Sequence, residues 1–215
     1  MEMGKNSRNS KDEIEGDDET ITTAQLDVTT SSRVSDEIVL VKKICMVGDP
    51  AVGKTSLINQ FVYKMFSDRY MATIGANITK KPITLKLGSG HTFRIKLMIW
   101  DIAGQKTYDW IKPTYYKNAE GALVVCDLTR DITIENTTNW IKNLTDVAGP
   151  IPFLIIGNKL DIATAGKKEM VSKTADKYKV KHFFTSAATG ENVEEAFLKL
   201  GEDLATHFLR TKGNK

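Results

Sequence analysis

Gly48-Asp49-Pro50-Ala51-Val52-Gly53-Lys54-Thr55 decides how this chain is read. It fits G-x-x-x-x-G-K-[ST], a glycine loop whose backbone amides cradle phosphates. The run before it, Ile38 to Val47, is apolar and β-branched enough for a buried strand. The run after it, Leu57 to Met65, carries apolar residues at helical spacing. Strand, glycine turn and helix are the context that such a loop requires. A helix starting near Gly53 aims its free N–H groups and positive dipole end at an anion. Lys54 then reaches for the outer phosphates, and the Thr55 hydroxyl for Mg²⁺.

The 215 residues suffice for one ordinary domain with a tail, able to bury a full core without disulfides or metals. At 41% hydrophobic and 27% charged, the composition suits a globular protein in water. The two cysteines, Cys45 and Cys126, each lie inside an apolar run and read as reduced core residues of an intracellular protein. No apolar run approaches the roughly 20 residues of a membrane span. The first residues, MEMGKNSRNSKDEIEGDDE, are polar and acidic, unlike a secretory leader. The net charge of +3 hides an asymmetry: residues 1–37 hold four basic and ten acidic residues, or −6, leaving +9 for the remainder. The lysines of that remainder are scattered along the chain, which favours a solvated surface over a nucleic-acid interface.

Residues 1–36 are poor in aromatics and rich in Ser, Thr, Asp and Glu, and are expected to form a disordered acidic tail. The domain is expected over residues 37–210, with a short flexible end at 211–215. After the first strand and helix comes a polar loop, Phe66 to Gly75. Strands follow at Ile78 to Leu87 and Thr92 to Trp100, joined by a Gly88-Ser89-Gly90 hairpin turn. A helical segment to about Asn118, interrupted at Pro113, leads to an apolar strand, Gly121 to Cys126. Ile132 to Val147 reads as an amphipathic helix with Ile134, Trp140, Ile141 and Leu144 as core contacts. A strand at Ile151 to Ile156, a charged helix at Lys167 to Tyr178, a strand at His182 to Thr185 and an amphipathic helix at Glu191 to Leu209 complete the chain. Apolar strands alternating with helices predict an α/β fold: a six-stranded, mostly parallel sheet with one antiparallel edge strand and helices on both faces. Ligands of such sheets sit beyond the carboxyl ends of the strands, where the motifs fall.

Asp101-x-x-Gly104 follows a strand, as a carboxylate holding Mg²⁺ through water opposite Thr55 would. Gly104 has no Cβ, so its N–H can approach a γ-phosphate closely. Asp-Gly turns are common, and an Asp that only caps a turn is the alternative. Asn158-Lys159-x-Asp161 follows another strand. A carboxylate there can accept two hydrogen bonds from guanine N1–H and N2–H₂. Adenine offers neither, and each mismatched buried polar group costs about 1–3 kcal/mol. Alone, N-K-x-D occurs as often in a surface loop. Thr185-Ser186-Ala187-Ala188 follows the last strand, where a backbone N–H can support the base oxygen; a plain small-residue turn is its equal.

GDPAVGKT, YMATIG, WDIAGQ, GNKLD and TSA occur in the order and spacing of the Ras superfamily of small GTPases, which the chain resembles over roughly residues 38–209. Within it the chain looks most like the Rab branch: KLMIW resembles KLQIW, YYKNA resembles YYRGA, and LVVCDLT resembles LVVYDIT. The resemblance implies a single P-loop GTPase domain binding GTP or GDP with Mg²⁺. It implies that Ala51, Val52, Gly53, Lys54, Thr55 and Ser56 hold the phosphates and metal. It assigns Thr55, Thr73 and Asp101 to Mg²⁺, with Thr73 arriving in the GTP state, and Phe66 and Tyr70 to the nucleotide beside them. Asn158, Lys159 and Asp161 would frame the base, with Ser186, Ala187 and Ala188 closing its far side. Gln105 would orient the attacking water, with Lys54 and Thr73 completing the catalytic set. The Thr73 and Gly104 loops would be two switches, ordered by the γ-phosphate. Exchange factors, activators and effectors would bind there, effectors using Trp100 with Tyr115 and Tyr116.

The chain also departs from the family. Pro50 stands where Gly or Ser is usual, Ile102 replaces Thr, Lys106 replaces Glu, Ile78 replaces a Rab Phe, and Ala188 stands where Lys is frequent. Rabs end in prenylated cysteines, whereas this chain ends HFLRTKGNK; Gly is not at position 2, and Arg210, Lys212 and Lys215 are few for a polybasic anchor. The expectation is a cytoplasmic monomer that reaches membranes only through partners, binds no nucleic acid and shows no lipid anchor. Slow GTP hydrolysis is expected because Gln105 is present. A GTP-bound scaffold with negligible hydrolysis is the alternative, motivated by Pro50 and Lys106. A nucleotide kinase would need an arginine-rich lid and a second nucleotide site, and the chain shows neither.

Overall fold

The structure, a computed structural model, describes residues 37–69, 71–88 and 90–213. The expected acidic tail at 1–36, Tyr70, Ser89 and the last two residues lie outside the described residues. Six strands form one sheet in the order β2-β3-β1-β4-β5-β6. They are β1 (Glu37–Val47), β2 (Ala76–Lys86), β3 (Thr92–Ile102), β4 (Gly121–Asp127), β5 (Phe153–Asn158) and β6 (His182–Thr185). Only the β2–β3 pair is antiparallel; β1–β3, β1–β4, β4–β5 and β5–β6 are parallel. The predicted mostly parallel sheet with an antiparallel edge strand is therefore present, with β2 at the edge.

Strand alternation builds two cores. Ile44 and Met46 of β1 face α1 (Lys54–Tyr63) and α6 (Val193–Gly213), joining Leu57, Phe61, Phe197 and Leu200. Phe61 and Phe197 stack with centroids 4.1 Å apart, fastening α1 to α6. Cys45 and Val47 face the opposite layer, made of α2 (Lys112–Tyr116), α4 (Thr137–Ala148) and α5 (Lys167–Tyr178). Tyr116, Trp140, Leu144 and Val171 fill that side, and the expected core contacts Ile134, Trp140, Ile141 and Leu144 are all buried. Cys45 and Cys126 are free, buried thiols, each pushed up to about 12 by burial. Among the described residues no helix is long and apolar enough to cross a membrane.

Local boundaries shift for local reasons. Pro113 does not interrupt a helix; it sits in the first turn of α2, where its missing N–H costs no intrahelical bond. The expected helix from Ile132 to Val147 is two helices, α3 (Asp131–Glu135) and α4, divided at Asn136. Asn136 keeps right-handed helical dihedrals at this junction and donates its side-chain amide to Asp49 Oδ2, 2.8 Å away. The β3 strand continues through Asp101, so this carboxylate lies within the strand, opposite Met46 and Asn77, rather than after it. The β5 strand starts at Phe153, after Pro152, and α6 runs past the expected end to Gly213.

The α1–α6 fastening yields a stability prediction. Phe197→Ala should lower unfolding free energy by about 3–5 kcal/mol, because it deletes a fully buried ring and leaves a cavity. Denaturant titration checks this; a loss under 1 kcal/mol would mean that the two helices do not depend on the stack.

Candidate functional site

The carboxyl ends of β1, β3, β4 and β5 meet at one rim of the sheet, and the Gly48–Thr55 loop crosses it. The loop needs its glycines. Gly48 has φ +141°, and a Cβ there would lie 2.1 Å from the Val125 carbonyl oxygen. Gly53 has φ +99°, and a Cβ would lie 2.2 Å from Asn158 Nδ2. Ala51 takes the left-handed conformation at φ 59°, while Pro50 beside it does not. The helix α1 then begins at Lys54 with no side-chain cap, leaving its first amides directed at the cavity.

Side chains from distant elements brace this loop. Asn158 Nδ2 donates to Val52 O at 2.9 Å, and Asn158 Oδ1 accepts from Thr185 Oγ1 and the Ala187 amide, each at 3.2 Å. Trp140 Nε1 donates to Asp49 Oδ1 at 2.7 Å. Arg130 Nη2 donates to Pro50 O at 2.9 Å. Lys54 is buried and donates to the carbonyls of Gly48 (2.8 Å) and Asp49 (2.9 Å). Burial pulls the Lys54 ammonium down to about 8; Asp101 and Asp49 oppose this, while Lys112 and Arg130 add to it. An ammonium under that strain gains from any anion brought to it.

At one end of the cavity three oxygen donors converge. Thr55 Oγ1 donates to Asp101 Oδ2 at 2.5 Å and lies 3.0 Å from Thr73 Oγ1. Asp101 Oδ1 is buried without a partner. Burial raises the Asp101 pKa against the hydrogen bonds of Thr55 and Thr73 and the charge of Lys54. A hard divalent cation suits an all-oxygen set with an orphaned carboxylate oxygen, so these residues fit Mg²⁺. Gly104 packs against the loop so closely that a Cβ would sit 2.6 Å from Gly48 O and Pro50 N. Gln105 lines the same cavity, its Oε1 buried without a partner.

At the other end, Asp161 Oδ1 accepts from Ser186 Oγ at 2.6 Å, and Ser186 Oγ accepts from the Thr189 amide at 3.1 Å. Asp161 itself is exposed, which leaves carboxylate capacity for a ligand. Lys159 takes φ 67° and its Nζ lies 2.7 Å from Asp127 Oδ2. The cavity between these ends measures about 410 Å³. Ala51, Gly53, Lys54, Thr55 and Ser56 line it with Phe66 and Thr73, as do Asn158, Lys159, Asp161, Ala187 and Ala188. Phe66 is 47% exposed on its rim. Val52, Asp101 and Ser186 stand behind the lining, and Tyr70 lies outside the described residues.

Four residues escaped the sequence reading: Asp49, Lys112, Asp127 and Arg130. Asp127 was the most legible, being an acid at the end of a continuous apolar strand, where a carboxylate needs partners. Its side chain is fully buried and meets Lys159, Arg130 Nε at 2.9 Å and Thr129 Oγ1 at 2.6 Å. Burial works against its charge, but the donors Lys159, Thr129 and Arg130 outweigh it and hold the carboxyl below its usual range. A depressed folded pKa contributes stability that is complete above the unfolded value, about 3.9, and is lost as pH falls through the folded value. Wild-type protein should therefore lose more denaturant resistance between pH 5 and pH 3 than Asp127→Asn, which should already be weaker at pH 7. Parallel pH slopes for the two proteins would contradict the role given to this carboxylate.

Comparison with known proteins agrees with this geometry. The Ras family model matches residues 43–206. The chain is 35% identical over 176 residues to the Ras-related protein Rab-13 of Rattus norvegicus, covering 80% of this chain and 83% of that one. It is 37% identical over 171 residues to the Ras-related protein Rab-8B of Homo sapiens, covering 78% and 80%. It is 36% identical over 166 residues to the Ras-related protein RABE1e of Arabidopsis thaliana, covering 75% and 74%.

Proposed function

This chain belongs to the Ras family as a Rab-like, GTP-hydrolysing small GTPase, and from that premise we propose a molecular switch in which the Thr73 and Gly104 loops report the γ-phosphate. The observation that carries the proposal is the meeting of Thr55, Thr73 and Asp101: Thr55 Oγ1 lies 2.5 Å from Asp101 Oδ2 and 3.0 Å from Thr73 Oγ1. One residue comes from the phosphate loop, one from the loop before β2, and one from β3, so a ligand at that point ties three elements together.

Guanine nucleotide lies along the cavity, phosphates on the α1 amides and Lys54, base between Phe66 and the Asn158–Asp161 loop. The free face of the Asp161 carboxylate accepts from guanine N1–H and N2–H₂. Ser186 fixes the orientation of that carboxylate by donating to Oδ1 at 2.6 Å. Asn158 acts as a brace more than a ligand, since its oxygen and one amide hydrogen are already engaged. Lys159 is held by Asp127, which positions its stem beside the base. Ala187 offers its backbone near the base, with Ala188 on the exposed rim.

For hydrolysis, Thr55 and Thr73 would hold Mg²⁺ directly and Asp101 through water; the metal would supply neutralisation of phosphate charge. The Gly104 amide faces the terminal phosphate without steric hindrance. The unpartnered Gln105 Oε1 is an acceptor for a proton of the attacking water, which it thereby orients. Pro50 lines the same cavity as Gln105, and this shared wall favours the alternative of a GTP-bound scaffold that hardly hydrolyses. Effectors would read the surface where Ile78 pairs with Trp100 and where Trp100 lies 6.2 Å from Tyr115. Ile78 is 49% exposed there. Rab-like vesicle trafficking or signalling is the setting proposed for the switch.

Single-turnover hydrolysis of bound GTP decides between switch and scaffold. Wild type should hydrolyse at about 10⁻⁴ s⁻¹, the order of unassisted Ras. Gln105→Leu should be at least about tenfold slower. Equal, negligible rates would leave the scaffold. Thr55→Asn should bias the protein to GDP by weakening the metal and GTP; unchanged GTP affinity would count against the metal role.

A further inference from the structure

Lys112 is a buried cation that the phosphate chemistry does not use. It opens α2, yet its side chain is only 6% exposed. A lysine so buried needs partners. It has three. Nζ lies 2.5 Å from Asp109 Oδ1, donates to Gly104 O at 3.3 Å, and sits 4.2 Å from the centroid of the Trp140 ring. Two partners belong to the segment between β3 and α2; the third is on α4.

The Gly104 carbonyl shares a planar peptide group with the Gln105 N–H. A donor fixed on that oxygen therefore orients the plane from which the Gln105 side chain departs. The wall behind Lys112 is anchored as well. Trp140 Nε1 holds Asp49 Oδ1 at 2.7 Å, and the Asp49 carbonyl in turn receives Lys54 at 2.9 Å. Lys112 thus stands between the Gln105 segment and a side chain bonded to the phosphate loop, with a cation–π contact as the joint.

We propose that Lys112 is a positioning residue for GTP hydrolysis. It holds the Gly104–Gln105 peptide against the Trp140–Asp49 brace, and so presents Gln105 to the attacking water. Nucleotide binding should depend on it only weakly, because Lys112 bonds no atom of the phosphate loop directly and reaches that loop only through Trp140. The inference rests on the switch reading above, with Gln105 as the catalytic residue.

Full-length Lys112→Met keeps the buried stem and removes the donors; Lys112→Arg keeps charge and donors. Both are made in a Trp100→Phe, Trp110→Phe background, which leaves Trp140 as the reporter among the chain's three tryptophans. Lys112→Met should slow single-turnover hydrolysis about tenfold or more, since misplacing a reacting group by about an ångström has costs of that order. GDP and GTP-analogue dissociation constants should stay within about twofold of the background protein. Trp140 emission should differ between the GDP and GTP-analogue states of the background protein and not in Lys112→Met, and Lys112→Arg should restore both the rate and this difference; no difference in the background protein would count against the proposed joint. A wild-type rate in Lys112→Met would overturn the inference. So would a loss of nucleotide affinity in proportion to the loss of rate, the mark of a merely structural lysine. Background protein and its Gln105→Leu form are run alongside: if both hydrolyse at one negligible rate, the switch reading itself fails and this inference falls with it.

Discussion

Backbone amides can hold a polyphosphate only if the loop that carries them keeps its shape before the anion arrives. The turn from Gly48 to Gly53 meets that constraint through side chains from elsewhere. Asn158 takes the Val52 carbonyl, Arg130 the Pro50 carbonyl, and Trp140 and Asn136 the two oxygens of Asp49. These braces leave the amides free and engage the Val52 and Pro50 carbonyls and the Asp49 carboxylate. Lys54 rests on two more carbonyls and is destabilised as an ammonium by its burial. An anion brought to Lys54 would offset the cost of that burial, as the proposed phosphate would.

The same braces connect the loop to the rest of the cavity. Asp127 grips both Arg130, which holds Pro50, and Lys159, which lies beside the proposed base site. Asn158 spans from the loop to the Thr185–Ala187 turn. Phosphate end and base end are consequently one hydrogen-bonded unit built on β4, β5 and β6. By contrast, Thr73 and Gln105 belong to connecting segments: Thr73 meets Thr55 and Asp101, and Gln105 follows the Gly104 peptide held by Lys112. Rigid cradle and hinged reporters are what a switch requires.

Much of this was legible in the sequence. Buried parallel strands are continuous apolar runs, so β4 and β5 announced themselves; β1 carries Lys42 and Lys43 and exposes Val39 and Val41, and only its last four residues, Ile44 to Val47, are buried throughout, just before the phosphate motif. The helix from Lys167 to Tyr178 and the strand from His182 to Thr185 lie where periodicity put them. What escaped was carried by long-range pairs. The bond from Trp140 to Asp49 joins residues 91 apart, and Trp140 reads from its spacing as one more core residue. Asn136, at the junction of α3 and α4, bonds Asp49, a partner that no local pattern reveals. Lys112, one of many lysines scattered along the chain, reads as a surface charge until the fold sets its ammonium against the Trp140 ring.

Binding of nucleotide to the stripped protein in Mg²⁺ buffer, measured by titration with GDP and with ATP, tests the central claim most directly. A cradle of this shape would hold any nucleoside polyphosphate by its phosphates; in the proposed function, selection of the base falls to Asp161. Mismatching two or three hydrogen bonds at about 1–3 kcal/mol each should make GDP at least about thirtyfold tighter than ATP. Equal affinities for the two nucleotides would contradict the assignment of the Asn158–Asp161 loop to guanine.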